Sequence, residues 1–302
     1  KSQTDNIAKE DAYTLALFAQ DEIKLLRNLQ ALIGVRYIYH ENFKNHATPN
    51  VALMYKPGKF NFRASYAAGF RTPTLSELYA TDIAKKNDRL TIGNLDLKPE
   101  KNNYFSLSAE YVHERFSVSV NAFYNNIRDM IDYNTIATGD KAMEQYGHKE
   151  VRQRDNIAEA KVHGINVSAN AYLGAGFNLS GGYTHLNTQD VELEQPIDKS
   201  IKNAYNINAQ WAHSWKIYRL NINLNGRFNS KRFSKSYGYA PEYQLWDLNT
   251  RHSFNLKSVI IEPGCGMENL FDYMDDRPYN SNYATLTPGR SFYISLSLKF
   301  KS

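Results

Sequence analysis

Long runs of alternating apolar and polar residues dominate this chain, and they commit it to strands with one greasy and one wet face. Leu220, Ile222, Leu224, Gly226 and Phe228 share one face of such a run, while Arg219, Asn221, Asn223, Asn225 and Arg227 share the other. Tyr205, Ile207, Ala209 and Trp211 alternate with Asn206, Asn208 and Gln210. Phe116, Val118, Val120 and Ala122 alternate with Ser117, Ser119 and Asn121. The closing segment sets Phe292, Ile294, Leu296, Leu298 and Phe300 against Ser295, Ser297 and Lys299. No convincing amphipathic helix emerges, and no run of about 18 apolar residues offers a helical membrane span.

Run length separates the two architectures that such strands build. A soluble sandwich turns the apolar faces into a core and uses strands of about 5–6 residues. A membrane barrel turns them to lipid, lines a wet lumen with the polar faces and needs about 9–11 residues per crossing. Several runs here continue for about that spanning length. The composition agrees, with 42% hydrophobic and 22% charged residues, ordinary for a folded protein. A single cysteine, Cys265, excludes a disulfide framework and a Cys-based zinc site. The net charge of +5 is spread along the chain rather than gathered into a patch, so nucleic acid is not a partner. No nucleophile elbow, His-Glu-x-x-His helix or phosphate loop supports an enzyme.

The alternation predicts thirteen strands, over residues 11–23, 28–40, 49–57, 59–70, 101–113, 115–133, 155–173, 176–188, 201–214, 217–231, 243–256, 258–270 and 288–300. Tight turns alternate with long connections at 41–48, 71–100, 134–154, 189–200, 232–242 and 271–287. In membrane barrels the short turns face the periplasm and the long loops face outside. Thirteen is odd, whereas an antiparallel barrel closes on itself only with an even number of strands. An odd set leaves two edges whose backbone groups would face lipid unpaired, at several kcal/mol each. The expectation is that residues 1–302 are the C-terminal portion of a larger barrel beginning in an outer loop. Pro263 cannot donate to a ladder, and a bulge with Gly264 is expected there.

The loop from 71 to 100 opens on Gly69-Phe70-Arg71-Thr72-Pro73-Thr74-Leu75-Ser76-Glu77-Leu78-Tyr79 and closes on Gly93-Asn94-Leu95-Asp96-Leu97-Lys98-Pro99-Glu100. Further along come Phe123 to Ile131, then Asn269-Leu270-Phe271-Asp272, then Gly289-Arg290 before the last run. In these strings the chain resembles the TonB-dependent outer-membrane receptors, with Thr72 where that family usually has Ala and Leu95 where it usually has Pro. The resemblance implies a transmembrane barrel of about 22 strands, with a plug domain and the earlier strands outside this chain. It implies an active importer in the cell outer membrane, with no resident cofactor. Its ligand is scarce: a ferric siderophore is the first expectation and haem the second. Its partners are TonB and the inner-membrane energising proteins, outer-membrane lipid, and the barrel-assembly machinery, which would read the strand ending at Phe300. The alternatives are a passive porin-like barrel, or an importer of cobalamin, glycan or peptide working with a surface lipoprotein.

Candidate ligand contacts follow from position and chemistry. Arg71 and Tyr79 lie in the first motif at the mouth, and Arg71 has carboxylates near it in sequence with which to pair. His46 and His148 fall in predicted loops, with His40 and His185 near outer strand ends, and a neutral imidazole can ligate haem iron. Haem receptors of the family usually carry a His between the two loop motifs, and none stands between Phe70 and Asn94. Tyr79, Tyr146, Tyr237, Tyr239, Tyr279 and Tyr283 can stack on a planar ligand, or anchor the barrel as an aromatic girdle. Charges in 71–100 cancel, so no cationic funnel is evident. Asp272, Asp275 and Asp276 cluster in one loop without a cation-loop spacing and read as a solvated turn. His113, His163, His213 and His252 read as lumen or interface residues. Pro73, Gly93 and Pro99 read as loop geometry: Pro73 extends the residue before it, and Gly93 supplies turn freedom.

Overall fold

The computed structural model describes residues 3–4, 11–234, 238–275 and 287–301. In chain order the elements are β1 (Gln3–Thr4), β2 (Thr14–Leu26), β3 (Leu29–His40), β4 (Lys44–Tyr55), β5 (Phe60–Arg71), α1 (Leu75–Tyr79), β6 (Thr81–Ala84), β7 (Arg89–Ile92), β8 (Glu100–Val112), β9 (Phe116–Thr138), α2 (Gly139–Tyr146), β10 (Glu150–Gly174), β11 (Phe177–Asp190), β12 (Asn203–Trp215), β13 (Tyr218–Asn229), β14 (Arg232–Ser234), β15 (Gly238–Ala240), β16 (Tyr243–Asn255), β17 (Val259–Glu268) and β18 (Ser291–Phe300). Thirteen of them, β2–β5, β8–β13 and β16–β18, form one continuous wall. Each pairs antiparallel with the next in that order. The number and order of strands are those the alternation predicts.

Alternation becomes two chemically distinct faces because register is kept across the wall. Leu224 lies opposite Ala209 and Leu248, while Asn223 lies opposite Gln210 and Asn249. Serine and amide side chains bridge strands on the polar face: Ser65 to Ser106 at 2.6 Å, Ser119 to Ser168 at 2.7 Å, and the Asn208 amide to Asn223 at 2.6 Å. The apolar face stays bare. Leu107 is 63% exposed, Ile294 88% and Phe300 81%, and of the few buried apolar side chains among the described residues half lie in the connections. A sandwich would have packed those leucines and phenylalanines against a second sheet. Asp21, opposite Ile33, is the one carboxylate on the apolar face of β2.

The two ends of the wall differ. At one end six turns of two to four residues join the strands. Ala175 and Gly176 both take positive φ there, the backbone hand that a two-residue hairpin needs. At the other end lie the long connections, with one exception. Residues 41–48 do not form a loop, because β4 begins at Lys44 and only a three-residue turn, 41–43, separates it from β3. Lys44 takes a positive φ, which tightens that turn. Likewise the expected loop 134–154 is about half sheet, since β9 and β10 run on past their neighbours and enclose the helix α2. That helix and α1 are small additions that leave the fold all-β. Both are short and sit in connections, where the alternation pattern carries no signal.

Pro263 lies in unshifted register between β16 and β18, so the expected bulge is absent. The ladder to β16 instead lapses opposite His252 and Ser253, and Ser253 donates to Glu262 at 3.4 Å across the gap. The missing N–H is accommodated by leaving out a rung rather than by adding a residue. His163, His213 and His252 share the apolar face with Ile165, Trp211 and Phe254, which places them at the interface rather than in the lumen. The wall ends on two edges, β2 and β18, which run in the same direction and so cannot pair antiparallel with each other.

Candidate functional site

The long-connection end of the wall gathers most of the candidate residues. Arg71, the last residue of β5, lies opposite Glu100, the first of β8. Its guanidinium donates to Glu100 at 2.7 Å and to Glu77 at 2.9 Å. The two carboxylates are only 16% and 14% exposed, so each depends on the cation it shares. Glu77 also closes a capping box: Thr74 accepts from the Glu77 N–H, and the Thr74 N–H donates back at 2.8 Å. Such reciprocal caps satisfy the free donors at a helix start. Glu100 further accepts from the Ile131 N–H at 2.8 Å. Burial alone would raise the Glu77 carboxyl, but Arg71 and the Thr74 donors outweigh it and hold it below the usual carboxylate range.

Behind these charges the loop has a small core. Leu78, Leu97 and Ile131 are buried together, with Tyr79 and Phe43 against them, and Pro73 is buried as well. Gly93 and Asn94 return beside the helix, donating to the carbonyls of Ala80 and Glu77 at 2.9 and 3.0 Å. A Cβ at Gly93 would lie 2.4 Å from the Leu78 carbonyl oxygen, so only glycine permits the approach. Asn156 of β10 then fastens the exit: it accepts from the Lys98 N–H at 2.6 Å and donates to the carbonyls of Lys98 and Asp129. Pro99 follows directly and leads into β8. Phe70, Arg71, Pro73, Glu77, Leu78, Tyr79, Gly93, Asn94, Leu97, Lys98, Pro99 and Glu100 thus belong to one packed unit.

A second tie joins this loop to the next. The β6–β7 hairpin lays β7 parallel to the start of β10, and β1 adds to β6. Val151, in that parallel pair, is fully buried. Asp88, at the hairpin tip with positive φ, bonds the His148 ring at 2.9 Å. That hydrogen bond, helped by the Lys149 N–H, holds the Asp88 carboxyl below its ordinary value. His148 is therefore a link between two loops.

His46 lies in β4 rather than in a loop, stacked on Phe70 with centroids 3.9 Å apart and its Nε2 2.8 Å from the Phe43 carbonyl. His40 is buried at the end of β3 and His185 bonds Asn203 at 2.8 Å. Tyr146 is half-buried at the end of α2, and Tyr239 is exposed against Phe233. Tyr237, Tyr279, Tyr283 and Asp276 lie outside the described residues. Asn269, Leu270 and Phe271 turn the chain after β17. The buried Asn269 side chain donates to the carbonyls of Tyr273 and Pro288, and the Asp272 carboxylate accepts from the Arg290 N–H. Among the described residues no three His, Cys, Asp or Glu side chains converge as a metal site. Asp88 and Asn156 did not stand out in the sequence. The one local hint was Asn87-Asp88 as a turn pair between two short runs, and nothing local marked Asn156.

Comparison with known proteins agrees with this geometry. The family model described as TonB dependent receptor-like, beta-barrel matches residues 2–270. Among solved structures, the chain is similar to a mutant ferric enterobactin receptor from Pseudomonas aeruginosa, at 21% identity and TM-score 0.76 over 96% of this chain and 45% of that one. It is similar to a siderophore receptor from Acinetobacter baumannii, at 17% identity and TM-score 0.75 over 98% of this chain and 48% of that one. It is also similar to the ferric preacinetobactin receptor of that organism, at 17% identity and TM-score 0.68 over 96% and 43%. The chain spans less than half the length of each.

Arg71→Ala should leave two mostly buried carboxylates without their cation and cost about 2 kcal/mol of local stability. Faster amide exchange at Leu78 and Ile131 would report it, and adding Glu100→Gln in the same background should recover part of the protection. Glu77 and Asp88 are both held below their unfolded values, so their contributions are complete at neutral pH. They should vanish as pH falls through the carboxylate range, below about 4. Protease cleavage within 71–100 should accelerate over that interval, and Asp88→Asn should remove part of the pH dependence.

Proposed function

The chain belongs to the TonB-dependent receptor-like β-barrel family, and from that premise we propose that it forms the C-terminal part of an outer-membrane importer for a ferric siderophore. One observation carries the reading: a wall bare of any covering on its apolar face and furnished with amides and hydroxyls on the other. Only hydrocarbon outside and water or a polar insert inside suit both faces at once. The wall is completed by strands beyond this chain, which pair the free edges β2 and β18. The ligand class draws support from the three receptors named above, each of which serves or is described for siderophores.

In this reading the long-connection end faces outside and the two-to-four-residue turns face the periplasm. The loops collect ligand above a mouth whose first unit, residues 71–100, is held rigid by Arg71, Asn156 and Asp88. A preorganised mouth loses little entropy on binding. Beneath it, Asn208, Asn221, Asn223 and Asn249 line a polar cavity of about 320 Å³. Such groups hold a plug domain through hydrogen bonds that exchange with water, so displacing it costs less than opening a dry core. TonB and its inner-membrane partners supply the work through that plug. The assembly machinery engages β18 at Phe300. Haem ranks second, because His46 and His148 are already engaged by Phe43 and Asp88.

Under iron limitation, a strain lacking the gene should lose growth on one ferric siderophore and keep it on haem. Loss on haem alone would replace the siderophore reading. Leu224→Arg, near mid-wall on the apolar face, should cost about 2–4 kcal/mol in folding into lipid vesicles, while Asn223→Arg next to it should cost about 1 kcal/mol or less. Equal costs would remove the membrane reading.

A further inference from the structure

On the apolar face of the wall, Lys101 in β8 lies directly opposite Arg128 in β9. Alternation fixes their side: Lys101 shares the face of Phe105 and Leu107, and Arg128 that of Ala122 and Tyr124, whereas Glu100 turns the other way to Arg71. Both cations are exposed, and neither has a carboxylate partner among the described residues. Like charges set directly opposite on neighbouring strands repel and weaken a sheet. Lys161 of β10 adds a third positive charge two residues further round, opposite Asn126, and is only loosely paired with Glu159 at 3.6 Å.

The height of this cluster is informative. From the turn end of the β8–β9 pair, Val112 opposite Ser117, to Lys101 opposite Arg128 is eleven residues along the strand. At about 3.3 Å per residue and a tilt near 45°, that is roughly 26 Å, the thickness of a barrel's apolar band. The cations therefore stand at the outer boundary of the hydrocarbon. Immediately below them is a groove of about 550 Å³, lined chiefly by Leu53, Ala64, Tyr66, Phe105, Leu107 and Ala122. The alanines leave its floor low, and Tyr66 and Phe105 form a ridge with ring centroids 4.9 Å apart. The Tyr66 hydroxyl donates to Asn103 at 2.8 Å, on the step between groove and cations.

We propose that this patch seats a phosphorylated, multiply acylated glycolipid of the outer leaflet. Its phosphate bridges Lys101 and Arg128, and an acyl chain lies in the groove. A phosphate converts the repulsion of the opposed cations into two charge-assisted hydrogen bonds. The occupant of the groove must itself be hydrocarbon, because the groove lies within the band where lipid is the solvent. The inference rests on the barrel being membrane-embedded and is independent of what it imports.

The test uses the full-length protein purified in detergent and titrated with hexa-acylated bis-phosphorylated lipid A, read by native mass spectrometry. Against wild type, Lys101→Gln with Arg128→Gln should weaken binding ~20-fold, from roughly fivefold per cation. Dephosphorylated lipid A should bind wild type about as weakly as lipid A binds the double variant. Ala64→Trp with Ala122→Trp, which fills the groove and leaves the cations, should also weaken binding. Heat-modifiable electrophoretic mobility confirms that each variant is a folded barrel. The proposal is overturned if the cation variant binds lipid A as wild type does, or if phosphatidylglycerol binds wild type as tightly as lipid A. Failure of the barrel to insert at all would instead remove the membrane reading beneath it.

Discussion

Every backbone N–H and C=O in a wall bathed by hydrocarbon must be paired within the protein, because the surroundings offer no substitute. That requirement explains features of this chain that side-chain packing does not. The wall has almost no buried apolar core, yet its strands keep unbroken register over ten residues or more. Stability here resides in the ladder and in the transfer of one face into lipid, rather than in interdigitated side chains. Pro263 is admitted at the cost of one lapsed stretch toward β16, with the β18 side left intact.

The same requirement shapes the mouth. Beyond the membrane, water can satisfy backbone groups, so connections are free to leave the ladder, yet the 71–100 segment is tied down at several points. Its ties are of three kinds: a guanidinium shared by two shielded carboxylates, a small apolar cluster, and an asparagine reaching across from β10. The extension of β9 and β10 beyond their neighbours supplies the platform on which β7 pairs. The first long connection and the next are therefore one body, and they present a single surface rather than two independent loops.

Charge is distributed by the same logic. On the lumen side, cations meet carboxylates: Arg227 with Asp247, and Lys299 with Glu262 at 2.6 Å. On the outer side, Lys101 and Arg128 face each other, with no carboxylate partner among the described residues. The first arrangement is self-sufficient, and the second makes sense when an anion from the surroundings completes it.

Alternation by itself determined the thirteen strands of the wall, their order, and which side of each is apolar. The backbone imposes a period of two on any strand, so a short stretch of sequence carries that information. Leu220 to Phe228 could be assigned without knowing a single neighbour. The two motif strings likewise marked both ends of the 71–100 loop, and Arg71 already read as a partner for carboxylates. Only the tertiary structure decided which carboxylates, because Glu77 and Glu100 converge through a helix cap and a strand pairing. It moved His46 into a strand, through a turn tightened by the positive φ of Lys44. It also joined His148 to Asp88 and Lys101 to Arg128. Such pairs depend on turn geometry and on the register that sets how far one strand slides past the next. Register is a property of two strands together, and one strand's sequence does not contain it.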